Sequence, residues 1–212
     1  MFVSEIFLSI QGESTYAGLA CVFVRLAGCN LTCSWCDTPY ARGVEGARDM
    51  TADEIIAEVK GFKCGLVEVT GGEPLIQSGA KELVEKLVAG GLKVLIETNG
   101  SVCLDGISKK AVKVVDVKCP SSGHAGSFLI ENLGFITEYD EFKFVIAARE
   151  DYEFAKDFLR EFAKDRAAEV LFAPVTPGLD PKDLARWILE DGLSVRLSIQ
   201  LHKYIWNGER GR

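Results

Sequence analysis

Residues 22–39 read Val22-Phe-Val-Arg-Leu-Ala-Gly-Cys29-Asn-Leu-Thr-Cys33-Ser-Trp-Cys36-Asp-Thr-Pro39, an apolar segment that runs directly into a loop with three cysteines. The cysteines are spaced Cys-x3-Cys-x2-Cys. Three thiolates bind three irons of a cubane iron–sulfur cluster and leave the fourth iron open, whereas electron-transfer clusters and structural zinc sites normally take four protein ligands. Because an open iron can bind a small molecule, the loop predicts a reactive 4Fe-4S cluster on Cys29, Cys33 and Cys36.

A zinc loop is the alternative interpretation of the same cysteines. It would need a fourth ligand from Cys64, Cys103, Cys119 or a histidine. Four-ligand zinc sites usually carry paired Cys-x2-Cys knuckles, so the spacing favours the iron–sulfur cluster.

The composition narrows the class of protein. The 212 residues are 48% hydrophobic, which allows one sizeable core and favours a single domain over residues 1–212. The formal net charge of −7 argues against a nucleic-acid surface, which needs clustered Lys and Arg. Seven cysteines, an odd count, and no secretory signal pattern predict a cytoplasmic protein with reduced thiols. No apolar run approaches the ~20 residues of a membrane span, so we expect no membrane insertion.

Strands and helices are predicted to alternate. Apolar runs rich in Val, Ile and Phe predict buried strands at 22–26, 66–69, 93–96, 112–117, 142–147, 170–173 and 194–201. Helix signals follow Thr51-Ala-Asp-Glu54 and Ser78, and helical periodicity covers 150–164 and 181–190. Such alternation gives right-handed crossovers and a mostly parallel sheet. Because full helices are fewer than strands, we expect an α/β fold with a partial (incomplete) βα barrel. Residues 103–110 are only weakly helical and 120–137 are ambiguous, which leaves open whether one or two crossovers are reduced to loops.

Unusual residues come just after the predicted strands. The motifs in chain order are the cysteine loop, Thr70-Gly-Gly-Glu-Pro74, Glu97-Thr-Asn-Gly100, Asp116-Val-Lys-Cys-Pro120 and Ala173-Pro-Val-Thr176. Ligands bind at the carboxyl ends of strands in parallel α/β folds, so we expect one site built from five loops. Taken alone, each motif is also compatible with an ordinary turn or a solvated strand end.

Arg25 stands inside an apolar strand. An isolated guanidinium there would cost several kcal/mol in desolvation, so it needs an anionic partner. That partner is either an acid such as Glu5 or Glu13, in a buried salt bridge, or a ligand carboxylate in a bidentate clamp. The remaining single thiols and the histidine of the last strand are more often core residues than ligands. They are Cys21, Cys64, Cys103, Cys119 and His202.

The cysteine loop and the glycine-rich motif resemble the radical S-adenosylmethionine (SAM) superfamily. In that superfamily the open iron is chelated by the methionine moiety of SAM, and reduction of the sulfonium releases a 5′-deoxyadenosyl radical. The resemblance implies that Gly72 lies at the amino group, Lys118 at the carboxylate and ribose, and residues 173–176 at the adenosine. Glu97 and Asn99 are further polar candidates. The SAM-binding residues implied are Trp35, Cys36, Asp37, Gly72, Asp116, Val117, Lys118, Ala173, Pro174, Val175 and Thr176.

Three further motifs, spread over nearly the whole chain, resemble the 7-carboxy-7-deazaguanine synthase family. Ser9-Ile-Gln-Gly-Glu-Ser14 resembles its Leu-Gln-Gly-Glu-Gly signature, with Ser14 in place of the last Gly. Thr38 follows Cys-Asp, where the family ligates magnesium, and Gln200-Leu-His-Lys203 resembles its Gln-x-His-Lys ending.

The resemblance implies a lyase with catalytic SAM, Mg²⁺ on Thr38 and a pterin substrate. The reaction would convert 6-carboxy-5,6,7,8-tetrahydropterin into 7-carboxy-7-deazaguanine with loss of ammonia, towards queuosine or archaeosine. The residues implied for the pterin site are Ile10, Gln11, Gly12, Arg25, Thr70 and His202. A homodimer and an electron donor such as flavodoxin or ferredoxin are implied as well. The residues do not decide whether the tail at 204–212 covers the site.

Two other classes stay open at this point. A glycyl-radical-enzyme activase would share the cluster loop but would need neither the Gln-Gly-Glu segment nor an interior arginine. A non-enzymatic metal or iron–sulfur protein would not need Gly-Gly-Glu-Pro or a ligand-binding strand edge.

Overall fold

A computed structural model describes residues 1–163, 168–207 and 209–211. The strands in these residues are β1 Phe2–Ile10, β2 Ala20–Leu26, β3 Arg48–Asp49, β4 Leu66–Gly71, β5 Lys93–Thr98, β6 Val112–Asp116, β7 Glu141–Ile146, β8 Glu169–Pro174 and β9 Arg196–Leu197. The α-helices are α1 Ala52–Gly61, α2 Ala80–Ala89, α3 Arg149–Phe158, α4 Pro181–Asp191 and α5 Leu201–Trp206.

One unclosed sheet holds all of these strands, in the order β3-β1-β2-β4-β5-β6-β7-β8-β9. β1 pairs antiparallel with β2 and β3, and every neighbouring pair from β2 to β9 is parallel. The predicted α/β fold with a partial, mostly parallel barrel is therefore confirmed. None of the helices in the described part of the chain is long and apolar enough to cross a membrane.

Local sequence explains where the helices begin and end. The Thr51 side chain accepts from Glu54 N while the Glu54 carboxylate accepts from Thr51 N, so the predicted capping box starts α1. The Asp180 side chain accepts from Lys182 N and starts α4, and Gly192 ends it in the left-handed region at φ 59°. Helix α3 continues as a π turn over Leu159–Ala163, and Lys164 of the predicted helix lies outside the described residues.

The two faces of the sheet carry different sets of buried side chains. Val67, Val69 and their neighbours on the other central strands pack against the helices. The alternate residues point into the concave face, where Cys21, Leu66 and Leu95 form a small apolar floor. Towards the carboxyl ends of the strands, the side chains that point into the concave face are polar. The candidate functional site is therefore expected at this end of the sheet.

One strand prediction needs correction, and one long strand was not predicted. The predicted strand at 194–201 is wrong, because only Arg196–Leu197 pair with β8 and Leu201 begins α5. This edge segment has a single strand neighbour and is exposed at both paired residues, so burial does not extend it. Sequence reasoning also left β1 unassigned, because its half-exposed pattern mixes Ser4 and Glu5 with apolar residues. The two segments that the sequence left open, 103–110 and 120–137, contain turns and short 3-10 segments and no α-helix.

Candidate active site

The concave face of the sheet encloses a cavity of about 290 Å³ at the carboxyl ends of the parallel strands. The cysteine loop forms one side, and inward residues of β2, β4, β5, β6 and β7 form the floor. Most of the residues singled out in the sequence line it: Ile10, Gln11, Gly12, Arg25, Cys29, Cys33, Trp35, Cys36, Asp37, Thr38, Thr70, Gly72, Glu97, Asn99, Asp116, Lys118, Val175 and His202.

Four of the expected SAM-binding residues lie outside the lining. Val117 and Ala173 are buried in the protein interior, and Val117 N donates to Lys143 O at 2.9 Å. Pro174 is buried at the end of β8, and Thr176 is exposed. Of residues 173–176, Val175 alone lines the cavity. The other three could contribute to this site only by positioning the backbone around Val175.

Backbone hydrogen bonds hold the cysteine loop against two other segments. Cys29 N donates to Arg42 O at 3.0 Å. Ser34 N donates to Ser122 O at 3.1 Å, and Thr32 N donates to His124 Nε2 at 2.9 Å. All three cysteines of the loop line one cavity, and none of them forms a disulfide. Burial raises the pKa of the Cys29 thiol, so a positively charged iron partner is needed to hold it as thiolate.

Gly72 lies where no larger residue fits. A Cβ on Gly72 would stand 2.6 Å from Cys29 Cβ, which joins the glycine-rich motif directly to the cysteine loop. The next residue, Glu73, is fully buried and accepts from Asn99 N at 2.7 Å and from Thr98 Oγ1 at 2.8 Å. Burial raises the pKa of Glu73 to about 7. This carboxyl group thus ties the ends of β4 and β5 together beneath the cavity.

Asp116 and Lys118 fit a zwitterionic ligand. Lys118 Nζ lies 2.8 Å from Asp116 Oδ2 and 5.5 Å from the centre of the Trp35 ring. Asp116 Oδ1 is buried without a hydrogen-bond partner in the described structure. Burial would lower the pKa of Lys118, but the Asp116 carboxylate raises it, so the ammonium stays charged. An orphaned acceptor beside a charged donor matches the amino-acid end of SAM.

Arg25 is held by the acid across the strand pair. Its Nε donates to Glu5 Oε1 at 2.9 Å, which confirms the salt bridge that the sequence left as one of two possibilities. Arg25 also lines the cavity, and its Nη groups make no hydrogen bond within the described structure. The guanidinium is therefore held in place through Nε, and its two Nη groups are available to bind an anion.

A buried ammonium lies at the centre of the cavity floor. Lys143 Nζ bonds to Glu97 and, at 2.8 Å, to Glu13, and lies 3.6 Å from Asp116. Burial would raise the pKa of Glu97, but the Lys143 ammonium lowers it to about 2. Burial would likewise lower the pKa of Lys143, and the surrounding carboxylates raise it well above its usual value. Both groups are therefore ionised.

Glu68 lies beside this network without a cation of its own. It is 4% exposed and accepts a hydrogen bond from Gln11 Nε2. Burial and the nearby Glu97 raise the pKa of Glu68 well above its usual value. Burial and the nearby carboxylate thus favour the protonated, neutral form of this carboxyl group.

Sequence reasoning missed Glu68 and Lys143 as site residues. Each stands inside an apolar strand, as Arg25 does, and the same desolvation argument could have found them. Other lining residues were not predicted as cofactor or substrate ligands, although Glu5, Glu13, Gln200 and Lys203 were named for other reasons. They include Glu5, Phe7, Glu13, Phe23, Tyr40, Arg42, Gln200, Lys203, Glu209 and Arg210.

The C-terminal segment reaches the cavity. His202 packs so tightly on Gly12 that a Cβ there would lie 3.0 Å from His202 Cβ. Arg210 donates from Nε to Glu5 Oε2 at 3.1 Å, and its guanidinium lies 4.0 Å from the centre of the Tyr40 ring. Residues 209–211 therefore cover one edge of the cavity.

Three oxygen donors and one imidazole that could bind a cation line the cavity with the cysteine loop. Thr38 Oγ1 lines the cavity and lies 3.9 Å from Cys36 Sγ. Glu13, Asp37 and His202 place ligand atoms within 4.8 Å of one another. Hydroxyl and carboxylate oxygens are donors that Mg²⁺ accepts when substrate oxygens and waters complete its coordination.

Comparisons with known proteins agree with this geometry. The family model for the Radical SAM superfamily matches residues 24–117. A 7-carboxy-7-deazaguanine synthase from Koribacter versatilis is 50% identical, over 99% of this chain and 98% of the relative. Another from Chlorobaculum tepidum is 44% identical, over 97% and 94%. The crystal structure of QueE from Escherichia coli superposes with a TM-score of 0.79 at 22% identity, covering 94% of this chain and 93% of that one.

The open parallel sheet and the three-cysteine loop at its edge define an enzyme of the radical SAM class, whose members use a 4Fe-4S cluster and SAM. Sequence identity of 44–50% with the named relatives over nearly the full length identifies the family more specifically than the shared fold does. The chain belongs to the 7-carboxy-7-deazaguanine synthase family. This confirms the resemblance that the terminal motifs indicated, against the activase and the non-enzymatic protein.

Proposed function

We propose that this chain converts 6-carboxy-5,6,7,8-tetrahydropterin into 7-carboxy-7-deazaguanine with release of ammonia. One observation supports this most directly: a single cavity joins the three-cysteine loop to the half-free guanidinium of Arg25 and a hydrogen-bonding floor. A cofactor at the loop and a carboxylated heterocycle at the floor would then share one enclosed space.

The cofactor side is formed by this chain's own donors and acceptors. Cys29, Cys33 and Cys36 would hold the cluster, which together with SAM supplies a carbon radical for hydrogen abstraction when bound. Lys118 would neutralise the SAM carboxylate, and the unpartnered Asp116 Oδ1 would accept a hydrogen bond from the ligand. The remaining expected residues of 35–37, Gly72, Val117 and 173–176 would shape the pocket around it.

The substrate side is formed by the β1–β2 connection and the strand ends. Arg25 would bind the pterin carboxylate through its free Nη groups, because Glu5 already fixes the orientation of the guanidinium. Ile10, Gln11, Gly12, Thr70 and His202 would line the ring. Holding the pterin against the radical source is an orientation effect, which is where the protein contributes most when a cofactor does the chemistry.

Magnesium would bind at Thr38. The Thr38 hydroxyl group, the substrate carboxylate and waters would form an oxygen shell around the ion. Asp37, the preceding residue, also lines the cavity. The ion would orient the substrate and stabilise negative charge on its carboxylate.

The further expectations belong to the same proposal. Residues 1–212 would act as one domain, supported by the single sheet. The enzyme would work in the cytoplasm, where cluster thiols stay reduced. A homodimer, a flavodoxin or ferredoxin electron donor, and a queuosine or archaeosine end product follow from the family alone.

The test is anaerobic reconstitution with iron and sulfide, followed by reductant, SAM, magnesium and 6-carboxytetrahydropterin, with 7-carboxy-7-deazaguanine followed by mass. Many product molecules per SAM consumed would support the proposal. Cleavage of SAM without formation of 7-carboxy-7-deazaguanine would overturn the assignment of 6-carboxytetrahydropterin as the substrate. As matched variants, Cys33→Ser should lose the cluster and product formation, and exposed Cys103→Ser should keep both.

A further inference from the structure

Glu68 is a buried polar residue that lines the cavity beside its apolar floor. It lies on β4 in register with Phe23 of β2 and Leu95 of β5, directly above the apolar floor. Its side chain points inward and lines the cavity, although the residue is only 4% exposed. Any ligand that fills the cavity to its floor therefore meets this carboxyl group.

One oxygen of Glu68 is already committed. Oε2 accepts from Gln11 Nε2, and Gln11 Oε1 accepts from Glu13 N at 2.7 Å. The Gln11 amide is thus fixed at both ends and cannot turn to serve Glu68 as an acceptor. No group in the described part of the chain hydrogen-bonds to Glu68 Oε1.

The surrounding charges favour the neutral acid. Lys143 from β7 is shared by Glu13, Glu97 and Asp116, and Lys118 is paired with Asp116, so the nearby ammonium groups already face three carboxylates. Arg25 from β2 is engaged by Glu5. Cys21 of β2 adds no positive charge, since burial raises the pKa of its thiol. A fourth carboxylate would have no counterion, and protonation on Oε1 removes that cost.

We propose that Glu68 acts as a neutral carboxylic acid that determines specificity at the floor of the pterin site, with Oε1–H donating to an acceptor atom of the 2-amino-4-oxopyrimidine ring. The neighbouring Glu97 carboxylate accepts from a ring N–H of the same ligand. A donor and an acceptor side by side complement that ring, whose edge alternates acceptor and N–H groups. This inference rests on the proposed function, because it assumes that a pterin fills the cavity.

The test uses the cluster-loaded enzyme with SAM and magnesium, without reductant, and measures 6-carboxytetrahydropterin affinity by calorimetry. Glu68→Gln preserves one donor and one acceptor, so its affinity should stay within about threefold of the wild type. Glu68→Leu removes both and should weaken binding by about ten- to a hundredfold. Glu141→Gln is the matched control, because Glu141 is equally buried but lies outside the cavity lining.

A pH series separates recognition from a merely structural role. Wild-type affinity should fall with rising pH as Glu68 ionises, more steeply than that of Glu68→Gln, which cannot ionise. Equal weakening in Glu68→Gln and Glu68→Leu, or identical pH profiles of wild type and Glu68→Gln, would overturn the inference. If the wild type binds no pterin, the proposed function fails instead, so the two failures are distinguishable.

Discussion

Arg25 and Glu5 face each other across the antiparallel β1–β2 ladder, with Arg25 Nε donating to Glu5 Oε1 at 2.9 Å. Both side chains are close to fully buried, at 14% and 13% exposure, and both line the cavity. The strand pairing thus fixes a guanidinium in an apolar strand and leaves part of it for a ligand.

Arg25→Gln should weaken binding of 6-carboxytetrahydropterin by about ten- to a hundredfold, because a charge-assisted hydrogen bond to the carboxylate is lost. Calorimetric titration of the SAM-loaded enzyme measures it. Tetrahydropterin without the carboxylate is the control ligand and should bind both proteins alike. Equal losses for the two ligands would show that Arg25 does not read the carboxylate.

Lys143→Met should destabilise the fold by about 3–5 kcal/mol, because the carboxylates of Glu13, Glu97 and Asp116 lose their shared ammonium. It should also abolish measurable pterin binding. Lys113→Met is the matched control, since Lys113 forms a buried ion pair with Asp140 at 2.9 Å away from the cavity lining.

Chemical denaturation and pterin titration are measured on both lysine variants. Lys113→Met should lose comparable stability but keep its ligand affinity at temperatures where it is folded. Retained pterin affinity in Lys143→Met would contradict a role for this lysine at the floor of the site.

Acid should destabilise the protein in part through Glu97. Its folded pKa is about 2 and lies below the unfolded value of 4.5, so its contribution is fully present above pH 4.5 and is lost as the pH falls towards 2. The contribution of ionised Glu97 to the free energy of unfolding is about 3 kcal/mol. Glu73 acts with the opposite sign, because its raised pKa of about 7 adds stability as the pH falls from 7 towards 4.5.

Denaturation curves of the wild type and Glu97→Gln between pH 5 and pH 2 test this. The variant should lose less stability over the interval. Glu131→Gln, an exposed glutamate, should follow the wild type. Parallel curves for wild type and Glu97→Gln would exclude Glu97 as a source of the acid sensitivity.

Gly72→Ala should disturb the cysteine loop, because the new Cβ would meet Cys29 Cβ at 2.6 Å. We expect SAM affinity to fall at least about tenfold and cluster reconstitution to be incomplete. Iron content and equilibrium dialysis of SAM measure the two effects. Gly65→Ala, where a Cβ would meet open space, should leave both unchanged, and normal SAM binding by Gly72→Ala would refute the close approach.

The buried strands and the cysteine loop could be predicted because their signals are local. The apolar run before Cys29, the capping box at Thr51 and the glycines of 71–72 each depend on neighbours within a few residues. Strands β1 and β9 were harder to predict. The edge strand β9 has a single strand neighbour, and β1 is half-exposed, so both lack the continuous apolar pattern. The site residues Glu68 and Lys143 were not predicted, because each is a single charged residue within an otherwise apolar run and the sequence does not show which face of the sheet it occupies.

The sequence by itself determined the class of the protein: a thiol spacing that leaves one iron open, placed after a buried strand, and terminal motifs shared with one family. Only the tertiary structure decided which buried residues face the cavity, because strands buried on both faces hide the alternation of inward and outward side chains. It also decided which charges compensate each other. Lys143 and Glu13 are 130 residues apart in the chain, and only the curvature of the sheet brings them together.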